Sequence, residues 1–182
     1  ALLVVDIQND FLPGGSLAVK EGDQVIPVAN KMLSVFQNAF ATQDFHPKDH
    51  ETFASQHPGK SIGEMISLHG IPQVLWPDHC VQGTFGAGFA VQLDISRIKR
   101  IFPKGTQREV DSYSAFFDND KRRDDGLHTH LLKENIDTLY ILGLATDYCV
   151  KYTALDAREM GYEVFVIEDG CRGVGLSSQD IP

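Results

Sequence analysis

The chain has 182 residues, 42% of them hydrophobic and 23% charged, the proportions of a globular protein able to bury a core of its own. Its 16 Lys+Arg against 25 Asp+Glu leave a formal charge of −9. That balance repels phosphate backbones and anionic lipid, so nucleic acid and membrane are not expected partners. No apolar run reaches the roughly 20 residues of a transmembrane helix, and the opening residues lack the regions of a signal peptide. Three cysteines, Cys80, Cys149 and Cys171, are too few and of the wrong parity for a disulfide framework. The expected compartment is the reducing cytoplasm.

In chain order, Leu2-Leu3-Val4-Val5 predicts a strand buried on both faces. Asp23 is placed to cap a helix in which Ile26, Ala29, Leu33 and Phe36 recur at helical spacing, with Pro27 in its first turn. Residues 40–44 predict a second strand. The stretch 45–100 is rich in Pro, Gly and His and has little periodicity; a loop of that length is functional or conceals elements. Ile101-Phe102-Pro103-Lys104 predicts a weaker strand, because Pro103 withholds a ladder donor. Leu127, Leu131, Leu132 and Ile136 mark a helix, and 139–144 the clearest strand. A helix over 146–160, ended by Gly161, and a strand over 163–168 follow. Residues 177–182 resemble the start of another helix, so a C-terminal helix is expected to be missing from this sequence. This alternation predicts one α/β domain over 1–182, built on a parallel sheet.

In such a sheet, ligands bind beyond the carboxyl ends of the strands. Asp6, Asp44 with His46, Lys104, and the run Thr146 to Cys149 all fall at those ends. Packing alone does not require two carboxylates, a histidine, a lysine and a thiol on one rim. Cys149 falls in the first turn of its helix, where the helix terminus and a nearby lysine would lower its pKa. It is the candidate nucleophile; a small apolar core residue is the bland alternative. Cys80 and Cys171 lack that setting and are read as structural. Asp44 and His46 share a strand face by period two, with His50, His57 and His79 downstream. Two imidazoles and one carboxylate suit a divalent transition metal with open coordination positions. The sign-alternating run 118–125 predicts a solvated surface, and His128 and His130 beside it have no clear role.

Asp6-Ile7-Gln8-Asn9-Asp10-Phe11 after a first strand resembles the opening motif of the nicotinamidases, in the isochorismatase-like cysteine hydrolase superfamily. The resemblance continues in family order through Ala41-Thr42-Gln43-Asp44-Phe45-His46-Pro47, then residues 76–84 (Trp76 to Thr84) and Phe102-Pro103-Lys104-Gly105. Residues 110–116, 143–150 and 168–173 complete it, so it spans nearly the whole chain. It implies a six-stranded, mostly parallel sheet with helices on both faces. It makes Asp6, Lys104 and Cys149 a catalytic triad and Asp44, His46 and His79 metal ligands. His50 stands where some relatives have a further histidine near the metal. Phe11, Trp76 and Tyr113, with Ala145, would line the substrate pocket. A cis peptide is implied at Leu144-Ala145, and the backbone amides of Ala145 and Cys149 would form an oxyanion hole.

The implied activity is metal-dependent hydrolysis of nicotinamide to nicotinate and ammonia through a cysteine thioester, with pyrazinamide as a second substrate and a role in NAD salvage. Zinc or iron is the implied ion, with manganese as a third choice, and the oligomeric state is left open. Amidases of carbamoyl or ureido substrates share the Asp–Lys–Cys triad, but Asp44, His46 and His79 argue against them. An isochorismatase, which cleaves a vinyl ether, would be expected to lack the cysteine. A non-enzymatic metal- or thiol-binding protein is hard to reconcile with three intact triad positions.

Overall fold

The computed structural model describes residues 1–121, 124 and 126–176. Its elements in chain order are β1 (Leu2–Val5), α1 (Val25–Val35), β2 (Ala39–Asp44), β3 (Met65–Leu68) and β4 (Ile71–Val74). Then come β5 (Arg100–Lys104), α2 (Leu127–Lys133), β6 (Thr138–Leu144), α3 (Lys151–Glu159) and β7 (Glu163–Arg172). Five strands form one parallel sheet in the order β5-β2-β1-β6-β7. The order reverses at β1, so right-handed crossovers put α1 on one face and the helices that follow β5 and β6 on the other.

Ring contacts agree with that layering. Register pairs Leu2 with both Ala39 and Tyr140, and these share one face with Phe36, which follows α1 and meets Tyr140 at 5.1 Å between centroids. Phe40 and Phe102 project from the other face, where His130 of α2 packs edge-on against Phe40. His130 thus belongs to the packing, and His128 to a hydrogen bond with the Tyr162 hydroxyl. All four residues of β1 are fully buried, which is why they read as one apolar run.

Several expectations are corrected. Among the described residues the sheet has five strands, not six. The two other strands, β3 and β4, pair with each other as an antiparallel hairpin. Only His69 and Gly70 connect them, and so short a link cannot make the crossover that parallel pairing needs. They come from the stretch 45–100, which also holds short 3₁₀ turns and isolated bridges at His46–Val81 and Phe53–Trp76. Asp23 does not cap α1: it lies in the turn Gly22–Gln24, and no side-chain cap bond precedes the helix. The helix expected over 146–160 divides into a π turn, Thr146–Val150, and α3. The strand after it runs four residues further than expected, to Arg172. Residues 177–182, with their expected helix start, lie outside the described residues, as do three positions of the run 118–125. Among the described residues no helix is long and apolar enough to cross a membrane.

Candidate active site

The strand ends converge as the sheet dictates. Asp6 follows β1 directly, in a left-handed conformation (φ 47°) that a non-glycine residue adopts only when its surroundings hold it there. Gly143 lets β6 approach β1: a Cβ at that position would lie 2.0 Å from the Val5 carbonyl oxygen. The Leu144–Ala145 peptide beyond it is cis, as the resemblance implied. The π turn then delivers Cys149 to the rim; such insertions recur at functional sites.

Lys104, at the end of β5, is the hub. Its ammonium is almost fully buried and lies 2.8 Å from Asp6 Oδ2, 2.9 Å from the Ser112 carbonyl and 3.2 Å from Cys149 Sγ. It also bonds Asp44 Oδ1. Thr42 Oγ1 donates to Asp6 Oδ1 at 2.7 Å. Burial raises the Asp6 carboxyl to about 6, assisted by the Asp44 charge and opposed by Lys104. Burial opposes the charge on Lys104, but Asp44, Asp6 and Cys149 outweigh it and hold the ammonium well above its usual range.

Cys149 departs from expectation. Burial pushes its thiol well above the ordinary range despite Lys104. The resting group is a thiol, so its proton must leave as it attacks; of the two carboxylates on the same ammonium, Asp6 is the one raised toward neutrality, whereas Asp44 is held below its usual range by Lys104 and the two imidazoles. Cys80 and Cys171 are free and buried, and burial holds their thiols up as well, so thiol acidity does not set Cys149 apart from them; its contact with Lys104 does.

Beside Asp6, Lys104 and Cys149, the side chains of Asp44, His46 and His79 each bring one potential ligand atom to within 4.8 Å of the others. His46 Nδ1 donates to the Gly105 carbonyl and His79 Nδ1 to the Pro77 carbonyl, each at 2.8 Å. Both Nε2 lone pairs are therefore left facing Asp44 Oδ2, at 3.7 and 3.9 Å, too long for hydrogen bonds. His46 Nε2 is a buried atom with no hydrogen-bond partner among the described residues. Carbonyl-fixed tautomers and an orphaned Nε2 are the arrangement a metal ion completes, so the donor set fits a divalent transition metal. Burial lowers the His79 imidazole to about 4, leaving it neutral as a ligand must be. Gly105 permits the His46 bond, since a Cβ there would meet His46 Nδ1 at 2.6 Å. His50 is placed differently. Its ring lies 4.5 Å from His46, it groups with His46 and Asp111 rather than with Asp44 and His79, and its Nδ1 bonds Thr52 Oγ1.

A cavity of about 30 Å³ joins the two halves. The carboxylates Asp44 and Asp111, the rings of Trp76, Tyr113 and Tyr148, and Cys149 all line it. Phe11 packs on His79 at 5.6 Å between centroids, and Ala145 O accepts the backbone N–H groups of Tyr148 and Val150. Sequence reasoning gave no role to Asp111, Tyr148 or Thr42. Thr42 was within reach of it, because it shares a strand face with Asp44 by period two.

A parallel sheet with a thiol, an ammonium and a carboxylate converging at its rim defines a class of hydrolase, and the isochorismatase domain model matches residues 1–181: the chain belongs to that family. Within it, the chain is 50% identical over 184 residues to the nicotinamidase of Escherichia coli (strain K12), covering 99% of this chain and 86% of that protein. A solved Acinetobacter baumanii nicotinamidase/pyrazinamidase superposes with a TM-score of 0.93 at 48% identity, covering 94% of this chain and 83% of that one. The pyrazinamidase of Pyrococcus horikoshii, solved with zinc, superposes at 0.78 with 36% identity, covering 98% and 88%. The enzyme class that follows is a hydrolase acting on an amide bond.

Proposed function

We propose that this protein hydrolyses nicotinamide to nicotinate and ammonia, accepts pyrazinamide in the same site, and serves the recovery of pyridine nucleotides in the cytoplasm. The single observation that carries the chemistry is the buried ammonium of Lys104, in contact with Asp6 at 2.8 Å and Cys149 at 3.2 Å. Asp6 takes the thiol proton as Cys149 Sγ attacks the carboxamide carbon. The C=O electron pair moves to oxygen, and the backbone amides of Ala145 and Cys149 are the proposed donors to it. Collapse breaks the C–N bond, Asp6 returns its proton to nitrogen, and ammonia leaves a thioester. Water then attacks that thioester while Asp6 accepts its proton; C–S cleavage releases the acid, and Asp6 passes that proton to the departing sulfur, restoring the thiol and its own carboxylate. Lys104 stays charged throughout and offsets the negative charge that passes between its neighbours.

Asp44, His46 and His79 would hold one divalent ion, with zinc or iron suiting the two imidazoles and manganese tolerated. When bound, it offers an open coordination position to the pyridine nitrogen and so orients the ring. The aromatic lining suits a flat, neutral ring, and three free buried cysteines accord with a reducing compartment. The test is ammonia release from nicotinamide by the purified protein, with and without a chelator. No release by metal-loaded protein would refute the reading.

A further inference from the structure

The β3–β4 hairpin is mostly half-buried or exposed, yet its second strand carries a buried polar side chain, Gln73, that reaches a wall of the cavity. That amide is fully engaged. Its Nε2 donates to the Val74 carbonyl at 2.9 Å and to Tyr113 Oη at 2.8 Å, and its Oε1 accepts from Asn119 Nδ2 at 3.2 Å. Asn119 Oδ1 accepts the Tyr113 backbone N–H at 3.0 Å, and the Asn119 backbone N–H donates to the Asp111 carbonyl at 2.7 Å. Two amides bonded to each other thus grip Tyr113 at both ends. Trp76 Nε1 donates to the same phenol oxygen at 2.9 Å. With two N–H donors on one oxygen, the Tyr113 and Trp76 rings are locked together, 85° apart, as adjoining walls of the cavity that holds Cys149.

We propose that Gln73 is a positioning residue that sets the spacing of these two walls and thereby selects flat ring amides. The proposal rests on the ring-amide reading given above. Gln73 touches none of the triad or metal-ligating groups, so its loss falls on binding of the ring. Were its amide serving the hairpin alone, the bond to Tyr113 would be incidental and substrate affinity would not follow it.

The test uses the metal-loaded full chain with Gln73→Leu, which keeps the bulk and removes the amide, and Asn119→Ala. Gln73→Leu is expected to raise KM for nicotinamide about tenfold, the worth of one net hydrogen bond. Its kcat should stay within about threefold of the parent value. Trp76 is the sole tryptophan, so its emission reports this wall alone and should shift, with greater quenching by acrylamide. In a Tyr113→Phe background, which lacks the shared acceptor, Gln73→Leu should change KM by less than about twofold. Unchanged KM and emission with a lowered melting temperature would overturn the proposal, as would a fall in kcat at constant KM. Should Gln73→Leu not fold, Asn119→Ala decides by the same two readouts. If the parent protein does not turn over nicotinamide, the substrate reading fails, and the Trp76 emission still decides whether Gln73 holds the wall.

Discussion

Lys104 determines where the protons stand in this site. An ammonium enclosed by two carboxylates and a thiol stays charged, and the buried thiol beside it stays neutral until it reacts. Asp6 is the group poised to titrate, raised by burial to about 6. The reaction needs its ionised form, so kcat/KM should be level near neutrality and fall as pH drops through about 6, with the apparent pKa belonging to the coupled Asp6–Lys104–Asp44 set. A pH profile flat down to 4.5 would contradict that role. Cys149→Ala should cost at least about 10⁴-fold in kcat while the melting curve stays close to the parent's. Cys80→Ala and Cys171→Ala should keep most activity. In Cys80 it is the backbone N–H, not the thiol, that Asp10 Oδ2 holds at 2.7 Å.

Between elements, close backbone approach carries the site. β1 and β6 run side by side so that Asp6 and the π turn emerge together, and Gly143 allows it. Gly143→Ala adds a Cβ 2.0 Å from the Val5 carbonyl at a φ of 130°. It should lower stability by about 3 kcal/mol or more, as a thermal melt would show, and abolish turnover in whatever protein remains folded. A melt within about 0.5 kcal/mol of the parent, the range of a neutral substitution, would show that the strands can part without loss. Gln8 does related work by hydrogen bonds. Its amide pairs with both the N–H and the carbonyl of Asp44, each at 2.8 Å, and so continues the ladder at the point where β2 presents its carboxylate.

At the scale of the molecule, the proposed metal set joins the sheet to the stretch 45–100. Asp44 ends β2, whereas His79 stands beyond the hairpin, and the two approach at 3.9 Å. Stripping the ion should therefore speed amide hydrogen exchange across residues 45–84 while β1 and β6 remain protected. Uniform exchange before and after chelation would show that the loop holds its place without metal. Chelation should also lower turnover and, if the ring nitrogen meets the ion, erase the preference for nicotinamide over benzamide, which has the amide but no ring nitrogen. A nicotinamide-to-benzamide ratio near one in the metal-loaded enzyme would direct the search for substrate to non-pyridine amides.

The alternation of apolar runs with helical patterns determined the α/β class, and strand-end polarity marked Asp6, Asp44, Lys104 and Cys149 as one rim. Both are legible because a doubly covered parallel sheet demands near-continuous apolar strands and puts its loops at one edge. The assignment of roles drew on the resemblance of whole motifs, since a single carboxylate or thiol at a strand end is chemically ambiguous. The tertiary structure alone decided the rest. It turned 65–74 into a hairpin, because short exposed strands carry little periodic signal, and it divided the helix at Cys149 with a π turn that no spacing announces. It also reversed the expected state of the Cys149 thiol. Proximity to a lysine can be read along a chain, but depth below the surface cannot, and in this site burial, with the Asp6 and Asp44 charges beside it, outweighs the lysine.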